Sequence, residues 1–227
     1  MELQVIARIR TDFQTKFGIP RQSGLADTKA EIFFEPAFAS EEAVRGLEGY
    51  SYIWLIWEFS ENVGKPYHAT VRPPRLGGNT RVGVFATRSP FRPNPVGLSS
   101  VRLESIEHRE GTGPVLHVSG ADLMDGTPIY DIKPYIAYAD CHPDARGGFT
   151  DTTERKLLRV TYAAEDVPAG LTEEQTAALT QVLAQDPRPP YQKDPERVYG
   201  MSYGGYEVKF RVQDDLLTVL SVVPEKS

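Results

Sequence analysis

A stretch of 42 residues, from Asn62 to Leu103, contains seven Lys and Arg residues but no Asp or Glu. The chain as a whole is acidic, with 25 Lys and Arg against 31 Asp and Glu, so this cationic block is a local feature. Its arginines alternate with Pro, Gly and Asn, which form rigid turns and allow close approach of the backbone. Guanidinium groups pair well with carboxylates and phosphates. The block therefore predicts a site for a carboxylate-bearing ligand or a polyanion, and a solvated set of Arg-rich loops is the alternative.

The motifs of several common enzyme classes are missing. The sequence contains no G-x-G-x-x-G, no P-loop and no G-x-S-x-G elbow. The four histidines are scattered, and the adjacent Cys141 and His142 lack the spacing of metal ligands. We therefore predict neither a Rossmann or Walker nucleotide site nor a metal site. The overall acidity argues against non-specific coating of nucleic acid, but it allows a nucleic-acid site within the cationic block.

Cysteine content and hydropathy indicate a cytoplasmic protein. Cys141 is the only cysteine, so an intramolecular disulfide is excluded and a reducing compartment is the simplest location. The N-terminal sequence MELQVIARIRTDF has no apolar run of signal-peptide length. The longest apolar run, Tyr52 to Trp57, is too short to span a bilayer. We expect no membrane segment.

The arginines and turns must be held by a scaffold, and the first part of the chain predicts one made of strands. Alternating or β-branched and aromatic runs predict strands at 3–10, Tyr50–Phe59, Arg81–Thr87, Val96–Glu107, Val115–Ser119 and Pro128–Lys133. The aromatic run at Tyr50–Phe59 is predicted to be a strand buried on both faces, with both tryptophans in the core. Ser40 followed by two glutamates predicts the start of a short helix that ends at Gly46. So many strands with little helix predict an antiparallel β-barrel domain over residues 1–142.

A smaller unit is predicted after a polar stretch. Residues 143–156 are predicted to form a linker, and residues 157–227 a small α+β lobe. The lobe is predicted to contain a strand near Lys156–Ala163 and a hairpin of 203–212 and 216–223 that turns at Asp214–Asp215. Thr172 and Gln175 have the spacing of a capping box at the start of a helix.

Four segments together resemble one family. They are FGIPRQSGL (17–25), RPPRLGGNTRVGVFATRSPFRPNPVGLS (72–99), DLMDGTPIYDIKPY (122–135) and QDPRPPY (185–191). The family is the TsaA-like group of S-adenosylmethionine-dependent tRNA methyltransferases, called TrmO in bacteria, and the resemblance covers nearly the whole chain. It implies methylation of the exocyclic amine of threonylcarbamoyladenosine at tRNA position 37, a cofactor site in a β-barrel rather than a Rossmann sheet, and a homodimer.

The resemblance also implies which residues hold the cofactor. They are Pro20, Arg21, Gln22, Ser60, Glu61, Arg88, Leu98, Met124, Asp125, Gly126 and Thr127. The planar fork of Arg88 can hold a carboxylate. The Asp125–Gly126 turn allows the backbone to approach a ligand, and an ordinary hairpin turn is the alternative. At Ser60, Glu61 and Met124 we expect contacts through the main chain.

Asn94 and Asp125 are the candidate catalytic residues. Methyl transfer from a sulfonium to nitrogen requires alignment of donor and acceptor and exclusion of water. The lone pair of an adenine amine is delocalised into the ring, and an acceptor for its N–H would help to localise that pair. The side-chain amide of Asn94, held between Pro93 and Pro95, could be this acceptor, or Asn94 could simply close a turn.

The anticodon stem-loop of tRNA must be bound largely through its phosphates. The candidate contacts are Arg72, Arg75, Arg81 and Arg92 in the cationic block and Arg188, Tyr191 and Lys193 in the second unit. Tyr191 could stack on an unpaired base or pack the two units together. A non-catalytic tRNA- or nucleotide-binding module and a methyltransferase acting on a small molecule remain the alternative functions.

Overall fold

The computed structural model describes residues 2–153, 156–162, 170–189, 192 and 194–225. Its first eight strands are β1 Ala7–Arg10, β2 Lys29–Phe34, β3 Tyr52–Glu58, β4 Thr70–Val71, β5 Val82–Gly83, β6 Val96–Arg109, β7 Gly113–Ser119 and β8 Pro128–Pro134. Six of them close into an antiparallel barrel in the order β1-β2-β7-β6-β3-β8, and β4 pairs with β5 in a separate ribbon. The predicted fold class, an antiparallel β-barrel with a small α+β lobe, is confirmed.

Alternate side chains along each strand point into the barrel and fill its interior. In β3, Ile53, Leu55 and Trp57 point into the core, whereas Trp54 and Ile56 lie on the outer face and are only half-buried. The prediction that this run is buried on both faces, with both tryptophans in the core, is therefore wrong for the outer face. A closed barrel packs only its inner face, so outer residues rely on neighbours: Trp54 contacts the ring of Tyr135, and its Nε1 donates to Asp140.

In the first unit, two strand predictions differ from the structure and one strand was not predicted. Arg81–Thr87 forms only the two-residue β5 and then a 3-10 turn, Val84–Ala86. Its apolar residues do not face a sheet, because Val84 is buried while Phe85 points into solvent. The first strand begins at Ala7 rather than at residue 3. Strand β2 was not predicted, because its sequence KAEIFF mixes charged residues with the inward-facing Ala30 and Ile32.

The second unit is a four-stranded sheet with one helix packed against it. Its strands are β9 Arg159–Tyr162, β10 Val198–Tyr203, β11 Tyr206–Gln213 and β12 Leu216–Pro224, in the order β10-β11-β12-β9. The helices of the described chain are α1 Glu41–Val44, α2 Ala137–Asp140 and α3 Glu173–Ala184. The β11–β12 hairpin turns at Asp214–Asp215 as predicted, but residues 203–212 do not form one strand, because the turn at Gly204–Gly205 divides them. The boundaries at residues 142 and 157 stay predictions.

The capping box at the start of α3 is confirmed. The Thr172 hydroxyl accepts from the Gln175 amide at 3.1 Å, and the Gln175 side chain accepts from the Thr172 amide at 3.2 Å. Thr172→Ala is expected to lower the free energy of unfolding by about 1 kcal/mol, because a helix N–H loses its partner. Chemical denaturation measures the change, and Thr172→Ser, which keeps the hydroxyl, is the control. Equal stability of the two variants would contradict the role of the cap.

The segment 11–28 joins the two units. Phe13 and Ala26 belong to the core of the second unit, and Phe17 and Ile19 pack against it. The amide of Asp27 also donates to the Gln181 side chain on α3 at 2.8 Å. The segment that contains the PRQ motif is therefore held on both sides. No helix in the described part of the chain is long and apolar enough to cross a bilayer.

Candidate active site

The connections that carry the predicted cofactor-binding residues all leave one end of the barrel. Strands β1, β3 and β7 finish at this end, where β2, β6 and β8 begin, as the pairs Arg10–Glu31, Glu58–Val96 and Ser119–Lys29 show. The connections there are 11–28, 59–95 and 120–127. All of the predicted cofactor-binding residues except Leu98 lie on these connections, and Leu98 lies near the start of β6. The topology therefore brings sequence-distant residues to one end of the molecule.

Gln22 and Arg88 are in direct contact at this end. Nη1 of Arg88 donates to Oε1 of Gln22 at 2.6 Å, although the two residues are 66 positions apart. The Gln22 side chain also donates to the Arg21 carbonyl, which fixes the amide. Arg88 is exposed, so its remaining N–H groups are available to a ligand. This pair can orient a bound carboxylate, which needs two parallel N–H donors.

A chain of three buried or partly buried side chains lies next to this pair. Nε1 of Trp57 donates to the Ser99 hydroxyl at 3.0 Å, and that hydroxyl donates to Asp122 at 2.5 Å. Burial raises the pKa of Asp122, while Ser99 and the nearby charge of Arg88 act in the opposite direction. The charges of Asp122 and Arg88 are thus close enough to interact electrostatically. Sequence reasoning missed this chain, and the only signal was that Asp122 opens the DLMDGTPIYDIKPY segment.

Asp125 has a different environment. Its carboxylate accepts from the Thr11 amide at 2.9 Å, and its own amide donates to the Phe13 carbonyl at 2.8 Å. It lines a groove of about 830 Å³ between the barrel and the second unit, to which Gln22 and Arg88 do not contribute. The side chain of Asp125 therefore holds the segment 11–28 in place. Its predicted catalytic role is not supported by a contact with Gln22 or Arg88 and stays a prediction.

The turn that follows Asp125 forms as expected. Gly126 has a φ of +73°, a conformation that glycine adopts readily, and its amide donates to the Ile9 carbonyl at 2.8 Å. The Thr127 hydroxyl donates to the Met124 carbonyl at 2.7 Å. Both interactions fix the backbone of the turn at the mouth of the barrel.

Asn94 is exposed, and its neighbours fix its backbone. Its carbonyl accepts from the Val96 amide at 2.8 Å, and the carbonyl of Pro95 accepts from Phe59 at 2.8 Å. Within the described residues the Asn94 side-chain amide makes no hydrogen bond, so it is available to a ligand. It lies just before β6, at the same barrel end as Arg88, but in the described part of the chain it makes no hydrogen bond to Gln22 or Arg88.

The remaining predicted cofactor residues surround this end. Ser60 and Glu61 lie in a 3-10 turn after β3, where Glu61 pairs with Lys16 at 3.3 Å. Leu98 is 52% exposed on the outer face of the barrel, opposite Ile56. Pro20 is buried and Arg21 is exposed, with a hydrogen bond from Arg21 to the Asp186 carbonyl.

The predicted tRNA contacts differ in whether their charge is already paired. Arg72, Arg75 and Arg81 are exposed and make no ion pair within the described residues. Arg188, by contrast, is largely buried and donates to both carboxylate oxygens of Asp186, which raises its pKa. Its charge is already neutralised, so a phosphate contact there would require the pair to open. Tyr191 and Lys193 lie outside the described residues.

One further cluster could suggest a metal site. Ligand atoms of Glu31, Glu107 and His117 lie within 4.8 Å of one another on the outer face of the barrel. The Arg109 guanidinium, however, donates to Glu107 at 2.6 Å and to Glu31 at 3.2 Å. Hydrogen bonds from Arg109 and His117 lower the pKa of Glu107 to about 2. The negative charge is thus already balanced by a side chain.

Comparisons with known proteins identify relatives over both units. Residues 8–141 match the family model of the tRNA-methyltransferase O N-terminal domain, and residues 149–225 match that of the TrmO C-terminal domain. The chain is 38% identical to the tRNA (adenine(37)-N6)-methyltransferase of Escherichia coli, over 98% of both chains. A crystal structure of TrmO from Pseudomonas aeruginosa superposes with a TM-score of 0.79 at 36% identity, covering 99% of this chain and 97% of that one.

The first unit is also similar to a mammalian protein. A tRNA (adenine(37)-N6)-methyltransferase of Mus musculus is 40% identical over 142 residues, which are 60% of this chain and 31% of the mouse protein.

Proposed function

The chain belongs to the TrmO family, and from this premise we propose that it is an S-adenosylmethionine-dependent methyltransferase that modifies N6 of adenine 37 in tRNA. The observation that carries this proposal is the match over both units to an enzyme of that name. The contact between Gln22 and Arg88 at the barrel end supports it further. We propose that the natural acceptor is threonylcarbamoyladenosine in the anticodon loop.

The residues at the barrel end fit the methyl donor. Its amino-acid end carries a carboxylate, which the exposed guanidinium of Arg88 can bind while Gln22 fixes the orientation of that guanidinium. The carboxyl group of Asp122, held by the Ser99 hydroxyl, is close enough to interact electrostatically with Arg88. S-adenosylmethionine supplies an electrophilic methyl group on a sulfonium.

The acceptor base needs orientation and an acceptor for its N–H. The Asn94 side chain is exposed at the same barrel end, and its backbone is held between two prolines. We propose that its amide oxygen accepts a hydrogen bond from the exocyclic amine, so that the nitrogen lone pair points at the methyl group. The N–C bond would form as the bond between sulfur and the methyl carbon breaks, with S-adenosylhomocysteine as the leaving group, and the N6 proton would pass to solvent.

We propose that the enzyme acts in the cytoplasm as a homodimer. The outer face of β3 and β6 carries the exposed side chains of Tyr52 and Leu98, and burial of these side chains would favour association. Sedimentation analysis of the purified protein tests this, and a monomer at micromolar concentration would contradict it.

The exposed arginines of the cationic block are expected to bind tRNA phosphates. Arg75→Ala should raise the Kd for tRNA and reduce the slope of log K against log salt by about 1, because one phosphate contact releases about one counterion. Filter binding at several salt concentrations measures both quantities. Arg45→Ala is the control, since Arg45 lies at the opposite barrel end and pairs with Glu42. A slope unchanged from wild type would exclude Arg75 from the interface.

Nucleoside mass spectrometry of total tRNA from a deletion strain tests the function in the cell. Loss of methylated threonylcarbamoyladenosine, restored by the wild-type gene, is expected. An unchanged amount of this nucleoside would contradict the proposed function.

A further inference from the structure

Phe85 belongs to a group of exposed aromatic side chains within the cationic block. It is 71% exposed, although the turn that holds it is anchored by the buried Val84. Tyr67 and Phe91 are exposed as well, and the ring of His68 contacts that of Phe91 at 5.1 Å. Backbone hydrogen bonds from Val84 to Ala69 and from His68 to Phe91 hold these segments next to one another. We call Tyr67, His68, Phe85 and Phe91 the aromatic patch.

Arg92 is fixed beside the ring of Phe85. Its guanidinium carbon lies 5.6 Å from the ring centroid. Nη1 donates to the Thr87 carbonyl at 2.7 Å and to the Val84 carbonyl at 3.2 Å, so the 3-10 turn itself holds the cation in place. In the described part of the chain this guanidinium pairs with no carboxylate. An aromatic face and a fixed positive charge are therefore presented together.

The surroundings of the patch determine the kind of partner. The block from Asn62 to Leu103 contains no acid, and the exposed Arg72, Arg75 and Arg81 lie in it. Such a surface suits a partner that combines flat apolar rings with a line of negative charges. An unpaired stretch of RNA has both, because its bases are free to stack and its phosphates follow the strand.

Phe85 is also close to the candidate active site along the chain. Only Ala86 and Thr87 separate it from Arg88, whose side chain contacts Gln22. An adenine in a stacked loop must be turned out before its amine can be reached, and stacking on a protein side chain offsets part of that cost. We infer that Phe85, supported by Arg92, is the platform on which an unpaired base of the tRNA anticodon loop stacks during methyl transfer. This inference rests on the proposed function.

Binding of an anticodon stem-loop RNA by Phe85→Ala tests the platform. Its Kd is expected to rise roughly 5- to 150-fold, the range found when a stacking aromatic is removed. The slope of log K against log salt is expected to stay at the wild-type value, because no charge is lost. Phe85→Trp should retain binding, since it keeps an aromatic face. Tyr138→Ala is the matched control, because Tyr138 is 92% exposed but lies outside the block.

Three outcomes would overturn the inference. The first is a Phe85→Ala protein that binds the stem-loop as tightly as the Tyr138→Ala protein. The second is a change in sedimentation from dimer to monomer in Phe85→Ala with an unchanged Kd for RNA, which would assign the patch to a second copy of the chain. The third is a Phe85→Ala protein that no longer binds vesicles of anionic phospholipid although it still binds RNA as tightly as the wild type.

The proposed function and the platform can fail separately. If the wild-type protein binds the stem-loop through Phe85 but transfers no methyl group, stacking is supported and the proposed function fails. If the wild-type protein methylates tRNA and Phe85→Ala binds and methylates it equally well, the platform alone is wrong.

Discussion

Replacement of Arg88 by Ala is expected to raise the KM for S-adenosylmethionine roughly 10- to 150-fold. This range corresponds to the loss of about 1.5 to 3 kcal/mol, the usual contribution of a hydrogen bond to a charged group. Arg88 is exposed at the barrel end and is oriented by Gln22 at 2.6 Å, and we propose that it binds the donor carboxylate. The kcat at saturating donor should change much less, because the carboxylate lies away from the reacting carbon.

Arg88→Lys and Gln22→Ala refine this prediction. Lys keeps the charge but lacks the planar fork, so an intermediate KM is expected. Gln22→Ala leaves the guanidinium charged but less well oriented. The KM for S-adenosylmethionine should therefore rise less in Gln22→Ala than in Arg88→Ala. Steady-state kinetics with the donor and the tRNA varied separately measure these values. If Arg88→Ala raised the KM for tRNA and left that for the donor unchanged, Arg88 would be a phosphate contact instead.

Gly97→Ala is expected to destabilise the barrel and reduce activity. A Cβ at this position would lie 2.3 Å from the ring of Trp57, so the indole would have to move. Overpacking of this kind costs about 1–3 kcal/mol. Movement of the indole would also break the Trp57–Ser99 hydrogen bond and free the hydroxyl that donates to Asp122. We therefore expect a lower free energy of unfolding and a higher KM for the methyl donor.

Gly49→Ala is the matched control for Gly97→Ala. Nothing lies within 4 Å of a Cβ built at Gly49, and its φ is not positive. The free energy of unfolding of Gly49→Ala should equal that of the wild type or exceed it by about 0.4–1 kcal/mol, because Ala reduces the entropy of the unfolded chain. Denaturation followed by tryptophan fluorescence compares the two proteins, since Trp57 is one of only two tryptophans. A Gly97→Ala protein as stable as the control would show that the indole relocates at no cost.

Elements with a strong local signal were predicted from sequence. The Thr172–Gln175 capping box depends on two residues of one helix turn, and the structure has both of its hydrogen bonds. The strand around Trp54 and Trp57 was also predicted, because a run of β-branched and aromatic residues allows few other conformations. Its exposure was predicted wrongly, since burial of a face depends on what packs against it.

The predicted site depended on the family resemblance more than on local pattern. Gln22 and Arg88 lie on different connections, and no periodicity indicates that they meet. The chain from Trp57 through Ser99 to Asp122 links three separate elements, so it appears only when the barrel closes. Phe85 was predicted within a strand because VGVFAT is rich in β-branched and aromatic residues, whereas the turn after β5 exposes it.

Transfer of an isotopically labelled methyl group tests the central claim most directly. Purified protein, S-adenosylmethionine with a labelled methyl group, and tRNA containing unmethylated threonylcarbamoyladenosine are incubated, and the digested nucleosides are analysed by mass spectrometry. The account predicts the label on N6 of that nucleoside with wild-type protein and, at limiting donor, a much lower rate with Arg88→Ala. Absence of label from the tRNA, in a protein that binds the donor by calorimetry, would contradict it.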